Sequence, residues 1–379
     1  MKKLLCFSII IAIVFTLTIP VFANTETLTT ATYKTEPFQE DRLQNVFEEK
    51  VSTFGDNIEI DRMIQVTDFA GNLYTVIECM PIGYAIFHNQ SGLFVEYSPS
   101  SPSPYHDLEG TLYYGGPTEY YLSDNGVIYH TIVDEHYSLE ESLDSLYESS
   151  VTLNSAYCAK QDSDVLSYVQ GNSSFSKRSQ LFARVSTQTA DTYVDDSNII
   201  SNLKTAKECG YYVPSGSNGV CGYIAAGILL LYYDYHYDDA FIDDAEYLNT
   251  SGTKFKGAEF TKLLRSLGAT DDTTAYSISS PIQRYLNTRG IDITVTDHLI
   301  PTTYVICNRI DANQPVIMFG SWLDVSASNT SYVNHAVLAY GYESSRETMI
   351  VHYGWADYSE VHLQGVTGST FNIASYSFD

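Results

Sequence analysis

A cysteine and a histidine separated by 114 positions are the residues of this 379-residue sequence best suited to nucleophilic chemistry. Cys221 stands between turn-forming residues at 213–219 and an apolar run that continues to Tyr233. This pattern predicts a buried helix of about four turns with Cys221 in its first turn. The positive end of the helix dipole favours an anion there, so we expect the thiolate form of Cys221 to be stabilised.

His335 begins the segment His-Ala-Val-Leu-Ala-Tyr-Gly-Tyr, whose apolar run predicts a strand that ends in a glycine turn. A general base has to be held rigidly, and the rim of a sheet that faces a nucleophile from another element meets that need. A second strand at 349–353 follows, and antiparallel neighbours at this distance can lie side by side. Either His352 or Asp357 is therefore expected to hydrogen-bond the far nitrogen of His335 and fix its tautomer.

The elements before residue 150 are predicted to be mainly strands. Short alternating runs between 58 and 133 are separated by turn residues, which is the pattern of β-hairpins. They predict an antiparallel sheet of five or six strands, followed by a short helix at 139–146. The histidines of this region lie in no catalytic motif, and we expect them to be surface or packing residues: His88, His106, His130 and His136.

The elements after residue 195 are predicted to be helices followed by strands, which is the α+β order. Residues 168–196 have linker composition and contain the basic pair Lys177-Arg178, which invites proteolysis, so we place a domain boundary there. Helical spacing occurs at 198–206, around Cys221, and at 257–267, 280–288 and 302–312, and strand patterns occur at 291–295, 315–319, 336–340, 348–353 and 360–363.

The first 23 residues have the pattern of a cleaved secretory signal peptide, with a positive start, an apolar stretch and small residues before the cut. We therefore expect a secreted protein without a stable membrane anchor, made of an N-terminal region at 24–185 and a second domain at 195–379. Lys and Arg total 20 against 46 Asp and Glu, and the net charge of −26 repels phosphate backbones. Nucleic acid is therefore not an expected partner.

The cysteine pattern argues against a metal site. Removal of the signal peptide leaves an odd number of cysteines, so at least one thiol stays outside any disulfide between them. Their spacing shows neither a CxxC motif nor a Cys/His cluster of the kind that binds zinc. We expect no metal and no cofactor, and the pairing of the other cysteines is open: Cys79, Cys158, Cys209, Cys221 and Cys307.

Three sequence blocks resemble those of papain-like cysteine peptidases: Gly-Val-Cys-Gly-Tyr at 219–223, Asn-His-Ala-Val-Leu-Ala-Tyr-Gly-Tyr at 334–342 and Val-His-Tyr-Gly-Trp at 351–355. The bacterial streptopain-like group and the group that trims bacteriocin leaders are the most similar. The resemblance implies a helical half and an antiparallel sheet half, with Cys221 as nucleophile and His335 as base. It also implies that Trp355 shields the histidine's hydrogen bond from water.

The sequence departs from the papain-like pattern at two functional positions. The usual asparagine partner of the histidine is replaced by His352, with Asp357 as the alternative partner. The usual oxyanion-hole glutamine is replaced by Ser215, and Asn218, which is nearer the helix, is the alternative donor of an amide N–H. The N-terminal region, with its phrase Gly-Tyr-Ala-Ile-Phe at 83–87, resembles the streptopain pro-domain, which implies an inhibitory, removable segment.

The leading hypothesis is a secreted cysteine endopeptidase, made as a zymogen, that hydrolyses polypeptides through Cys221 and His335. One alternative is a cell-wall amidase or acyltransferase with the same Cys-His chemistry. The other is a catalytically inactive papain-like module that binds a partner, which the missing glutamine and asparagine favour.

Overall fold

The computed structural model describes residues 37–133, 136–172, 192–193, 220–247, 255–268, 277–293, 295, 303–320, 335–343, 348–355, 357–364 and 371–374. The predicted signal peptide, the basic pair Lys177-Arg178 and the predicted helix at 198–206 lie outside these residues. The division into two domains therefore remains a prediction.

The N-terminal region is a mostly antiparallel β-sheet flanked by helices. Its alternating sequences become eight strands, two more than the upper bound of the prediction: β1 (Glu59–Thr67), β2 (Leu73–Met80), β3 (Tyr84–His88), β4 (Leu93–Ser98), β5 (Thr111–Gly116), β6 (Glu119–Asp124), β7 (Val127–His130) and β8 (His136–Ser138). The helices are α1 (Pro37–Val51), α2 (Leu139–Ala159) and α3 (Ser163–Val169).

Helix α2 is much longer than the predicted 139–146 segment. Its start is well defined because the Ser138 side chain accepts a hydrogen bond from the Glu141 N–H, as a helix cap does. The continuation beyond 146 was missed because residues 148–155 are rich in Ser, Thr and Asn, which are weak helix formers. Burial of Leu153 and Tyr157 against the core stabilises this second half.

Apart from a two-residue strand at 192–193, the described C-terminal region has helices first and strands second, as predicted. The long helix is α4 (Cys221–His236), which is followed by α5 (Asp244–Tyr247), α6 (Gly257–Leu267), α7 (Ser279–Thr288) and α8 (Thr303–Asp311). The strands are β9 (Thr192–Tyr193), β10 (Val316–Gly320), β11 (His335–Tyr342), β12 (Thr348–His352), β13 (Val361–Gln364) and β14 (Phe371–Ala374). The predicted strand at 291–295 is wrong, because residues 291–293 and 295 are irregular.

The described strands of both regions form one sheet. Its order is β14-β10-β11-β12-β13-β4-β3-β2-β1-β5-β6-β7-β8, with β9 paired to β11. All pairings are antiparallel except β1 with β5. The two regions meet where β13 pairs with β4, with His362 opposite Tyr97 and Leu363 opposite Glu96.

The architecture confirms the α+β class, with a helical half, an antiparallel sheet half and an antiparallel β region before them. Helix α4 is apolar on all sides and packs on β10, β11 and α6. One buried cluster continues from the N-terminal strands through α4 to β13. In the described part of the chain, no helix combines the length and apolar character that a bilayer crossing requires.

Candidate active site

Cys221 is the first residue of α4, as the sequence predicts. Its side chain is half-buried, whereas the residues that follow it are buried in the core. One turn further on, Ile224 lies against Gly354: a Cβ added to this glycine would lie 3.1 Å from Ile224 Cγ2. The first turn of α4 therefore packs directly on the chain segment that follows β12.

His335 is the first residue of β11, at the rim of the sheet, and its side chain is buried. Its Nε2 lies 2.6 Å from the carbonyl oxygen of Tyr353. A carbonyl oxygen only accepts hydrogen bonds, so this nitrogen carries the proton and donates it. In the neutral ring, Nδ1 is then the basic nitrogen.

The peptide group between Tyr353 and Gly354 is held at both ends by histidines. Its oxygen accepts from His335, and its N–H donates to His352 Nδ1 at 2.8 Å. Leu338 is the strand partner of His352, and Leu338 lies three residues after His335 along a regular stretch of β11. Because side chains alternate between faces, the structure places His352 on the opposite face from His335. His352 thus acts on the peptide group that holds His335, and Tyr353 supplies the direct partner.

Asp357, the alternative partner, occupies a turn. Its φ of +69° is a left-handed conformation that aspartate tolerates, and its side chain is exposed. The turn is closed by hydrogen bonds from the Tyr353 N–H to the Tyr358 carbonyl at 2.9 Å and from the Tyr358 N–H to the Trp355 carbonyl at 3.3 Å. Asp357 therefore helps to shape the loop. The His335 ring instead donates its Nε2 hydrogen bond to the Tyr353 carbonyl.

Trp355 covers His335, as the resemblance implies. The two rings lie 4.7 Å apart between centroids. Trp355 also contacts two aromatic residues of the N-terminal region, Tyr120 at 6.4 Å and His130 at 5.5 Å between ring centroids. The prediction that His130 is a packing residue holds, but it packs at the candidate site, which no local motif indicated.

Burial and, to a smaller extent, the neighbouring His130 lower the pKa of His335 to about 4, against the opposing effect of the hydrogen bond to the Tyr353 carbonyl. Burial also lowers the pKa of His130 to about 4. Its Nε2 donates to the Thr118 carbonyl at 2.8 Å, and its Nδ1 accepts from the Ile132 N–H at 3.2 Å. Both imidazoles are therefore neutral at pH 7 in this form of the protein.

The remaining predictions for the site concern the oxyanion residues and the cysteines. Ser215 and Asn218, the predicted oxyanion residues, lie outside the described residues. The cysteines within the described ranges are thiols: Cys79, Cys158, Cys221 and Cys307.

Three carboxylates that converge near the end of α4 are of the type that binds cations: Asp234, Asp239 and Asp244. Asp234 has a structural role, because it accepts the Ile242 N–H at 2.7 Å. Burial raises the pKa of Asp234 to about 6. The hydrogen bond with Ile242 therefore explains why Asp234, the buried carboxylate of the three, is present.

The sequence matches no family model and no curated protein. Among solved structures, the chain is similar to a fragment of prointerpain A from Prevotella intermedia that carries a cysteine-to-alanine substitution. The two chains are 10% identical, the match covers 82% of this chain and 92% of that chain, and the TM-score is 0.35. At this level the similarity adds nothing to the arguments from geometry.

Proposed function

We propose that the chain is the precursor of a secreted cysteine endopeptidase, with Cys221 as nucleophile, His335 as general base and polypeptides as substrates. The observation that carries the proposal is the hydrogen bond from His335 Nε2 to the Tyr353 carbonyl. It leaves Nδ1 basic, at the rim of the sheet on which the Cys221 helix packs. The three sequence blocks support the same assignment, and the signal-like N-terminus supports export.

The reaction is acyl transfer to sulfur. The thiol proton of Cys221 passes to His335 Nδ1, and the sulfur attacks the peptide carbonyl carbon. The imidazolium returns its proton to the leaving amine as the C–N bond breaks, and water hydrolyses the thioester to release the acid and regenerate the thiol. His352 fixes the peptide group that orients His335, and Trp355 keeps water from that hydrogen bond. The Cys221 N–H, with Asn218 or Ser215, is proposed to bind the oxyanion.

The geometry supports a latent precursor. A thiolate–imidazolium pair needs a charged His335, but burial holds the pKa of His335 at about 4. Trp355 lies against the His335 ring, and Tyr120 and His130 of the N-terminal region lie against Trp355 in turn. Removal of this region admits water to the histidine, which raises its pKa toward the ordinary value of 6.5 and favours the reactive ion pair.

The test is casein hydrolysis by the precursor before and after trypsin treatment that is continued until the N-terminal fragment is digested, with trypsin then inhibited. We expect hydrolysis only after treatment, and we expect iodoacetamide to abolish it. Cys221→Ala should remove all activity, whereas the matched variant Cys158→Ala, which changes a half-buried thiol on α2, should keep it. Full activity in the Cys221→Ala protein would refute the assignment.

The same preparation distinguishes the alternative functions. Clearing of purified peptidoglycan with casein left intact would identify a wall amidase. A folded, processed protein that a thiol-directed peptidyl probe fails to label at Cys221 would be an inactive binding module.

A further inference from the structure

A buried carboxylate of the N-terminal region lies at the point where the two regions meet, and the proposed chemistry does not use it. Glu96 on β4 is fully buried, and three tyrosine hydroxyls donate to it. Tyr120 donates to Oε1 at 2.7 Å and Tyr84 donates to Oε1 at 3.4 Å. The third donor is Tyr353, whose hydroxyl lies 2.8 Å from Oε2 although the two residues are 257 positions apart.

The surroundings of Glu96 are unusual for a carboxylate. Within the described residues, the titratable groups that face it from the elements packed around it are tyrosines: Tyr84, Tyr105, Tyr114, Tyr120, Tyr157, Tyr353 and Tyr358. Burial raises the pKa of Glu96 to about 7, and the hydroxyl donors oppose this rise. The group therefore changes charge near neutral pH.

Tyr353 connects this carboxylate to the candidate base. Its hydroxyl is held by Glu96, while its carbonyl oxygen holds His335 Nε2. Its N–H donates to Tyr358, so the side chain and both backbone groups of this residue are engaged. Hydrogen bonds to an ionised acceptor are shorter and stronger than those to a neutral one. A change of charge on Glu96 therefore changes the restraint on the residue that orients His335.

We propose that Glu96 is a positioning residue for His335, acting through the Tyr353 hydroxyl on the peptide group that accepts the imidazole hydrogen bond. The proposal rests on the assignment of His335 as the base. It gives the N-terminal region a second role, in addition to its packing against Trp355. While this region is docked, Glu96 fixes the orientation of the base; when the region leaves, Tyr353 loses this anchor.

The test follows the imidazole itself and needs no peptidase activity. In the full-length chain, the His335 ring resonances are recorded by NMR from pH 5.5 to pH 8.5 and assigned by their loss in His335→Gln. We expect an inflection near pH 7 in the natural sequence, because the Glu96 pKa of about 7 is transmitted to His335. Glu96→Gln, a neutral isostere, should abolish the inflection.

Three further variants separate positioning from a general effect on folding. Tyr353→Phe keeps Glu96 and removes the connection, so the inflection should be lost. Tyr120→Phe removes a Glu96 partner that is not part of the connection, so the inflection should remain but move to higher pH. Glu119→Gln is the matched control, since Glu119 is also buried and accepts a hydrogen bond from a tyrosine, Tyr121, and it should leave the inflection unchanged.

An inflection that persists unchanged in Glu96→Gln would overturn the proposal, and so would its absence from the natural sequence. Because the readout is a chemical shift, these results do not depend on the casein assay. A chain with the expected coupling but no hydrolysis would refute the peptidase assignment alone. A chain that hydrolyses casein but lacks the coupling would refute the role of Glu96 alone.

Discussion

The Tyr353–Gly354 peptide group, rather than the side chain of His352 or Asp357, is the hydrogen-bond partner of His335. It accepts from His335 with its oxygen and donates to His352 with its N–H. His352 is therefore explained as a residue that fixes the peptide plane, since only an unprotonated Nδ1 can accept that N–H. Gly354 completes the arrangement, because its φ of +79° and the approach of Ile224 both disfavour a side chain.

At Gly354, we expect substitution by alanine to cost more than its backbone conformation alone explains. The strained φ costs about 1–3 kcal/mol, and the contact with Ile224 at 3.1 Å adds to it. Gly126→Ala is the matched control, because Gly126 has a φ of +80° and open space around it. Urea unfolding measures both variants. In an Ile224→Ala background, the loss of unfolding free energy caused by Gly354→Ala should be smaller. Equal losses for Gly354→Ala and Gly126→Ala would contradict the packing of α4 on this turn.

A buried ionic contact within the C-terminal region lies at the junction between strands β4 and β13, where Tyr97 of the N-terminal region packs on it. His362 Nδ1 lies 3.0 Å from Glu343 Oε1, Tyr97 stacks on the His362 ring at 4.6 Å, and the Tyr97 hydroxyl donates to Glu343. Burial by itself would lower the pKa of His362, but the hydrogen bonds with Glu343 and Glu360 raise it above the usual 6.5. Burial likewise opposes the change at Glu343, whose pKa is lowered from 4.5 by the His362 hydrogen bond and by the charge of Lys50.

This contact predicts a stability that depends on pH. Because the folded pKa of His362 is raised and that of Glu343 is lowered, the contribution of the pair is complete between pH 4.5 and pH 6.5. It is lost as the pH rises through the folded pKa of His362 and as the pH falls through that of Glu343. His362→Gln should therefore lower the free energy of unfolding by about 1.5–3 kcal/mol at pH 6, and by less at pH 9. Urea unfolding at the two pH values measures this difference. His106→Gln is the control: this exposed histidine lies beside Asp107, and its replacement should change the free energy of unfolding little at either pH. An equal cost of His362→Gln at both pH values would contradict a charged pair between His362 and Glu343.

In the whole molecule, the sheet and one buried cluster run across both regions. The N-terminal region therefore does more than pack against Trp355, since its loss would also expose the edge of β13 and the hydroxyl of Tyr353. Separation of the regions breaks backbone hydrogen bonds, the Glu96 contacts and apolar packing together. Cleavage of the chain between the regions leaves all of these contacts in place.

We accordingly expect brief trypsin treatment to cut the predicted linker at the basic pair Lys177-Arg178 and to give two fragments that stay associated. Size-exclusion chromatography at pH 6.5 should show one complex containing both, and the alkylation rate of Cys221 should remain that of the precursor until the N-terminal fragment is digested further. Fragments that separate at once would contradict a shared core. The uncut chain in the same buffer is the control.

The sequence by itself determined what local rules control. Turn residues before an apolar run predicted the α4 start at Cys221, and an apolar segment after His335 predicted β11, because these signals act within a few residues. Helices before strands fixed the α+β class. Local sequence patterns did not predict the number of strands correctly, and they predicted a strand at 291–295 where the described residues 291–293 and 295 are irregular.

Tertiary structure alone decided how the candidate base is held. The choice between His352 and Asp357 depended on the register of β11 and β12, which puts His352 on the other face and brings a backbone carbonyl to His335. A carbonyl is present at every residue and leaves no mark in a sequence. The contact between Glu96 and Tyr353 joins residues 257 positions apart, and it exists only because β4 and β13 pair in the folded sheet.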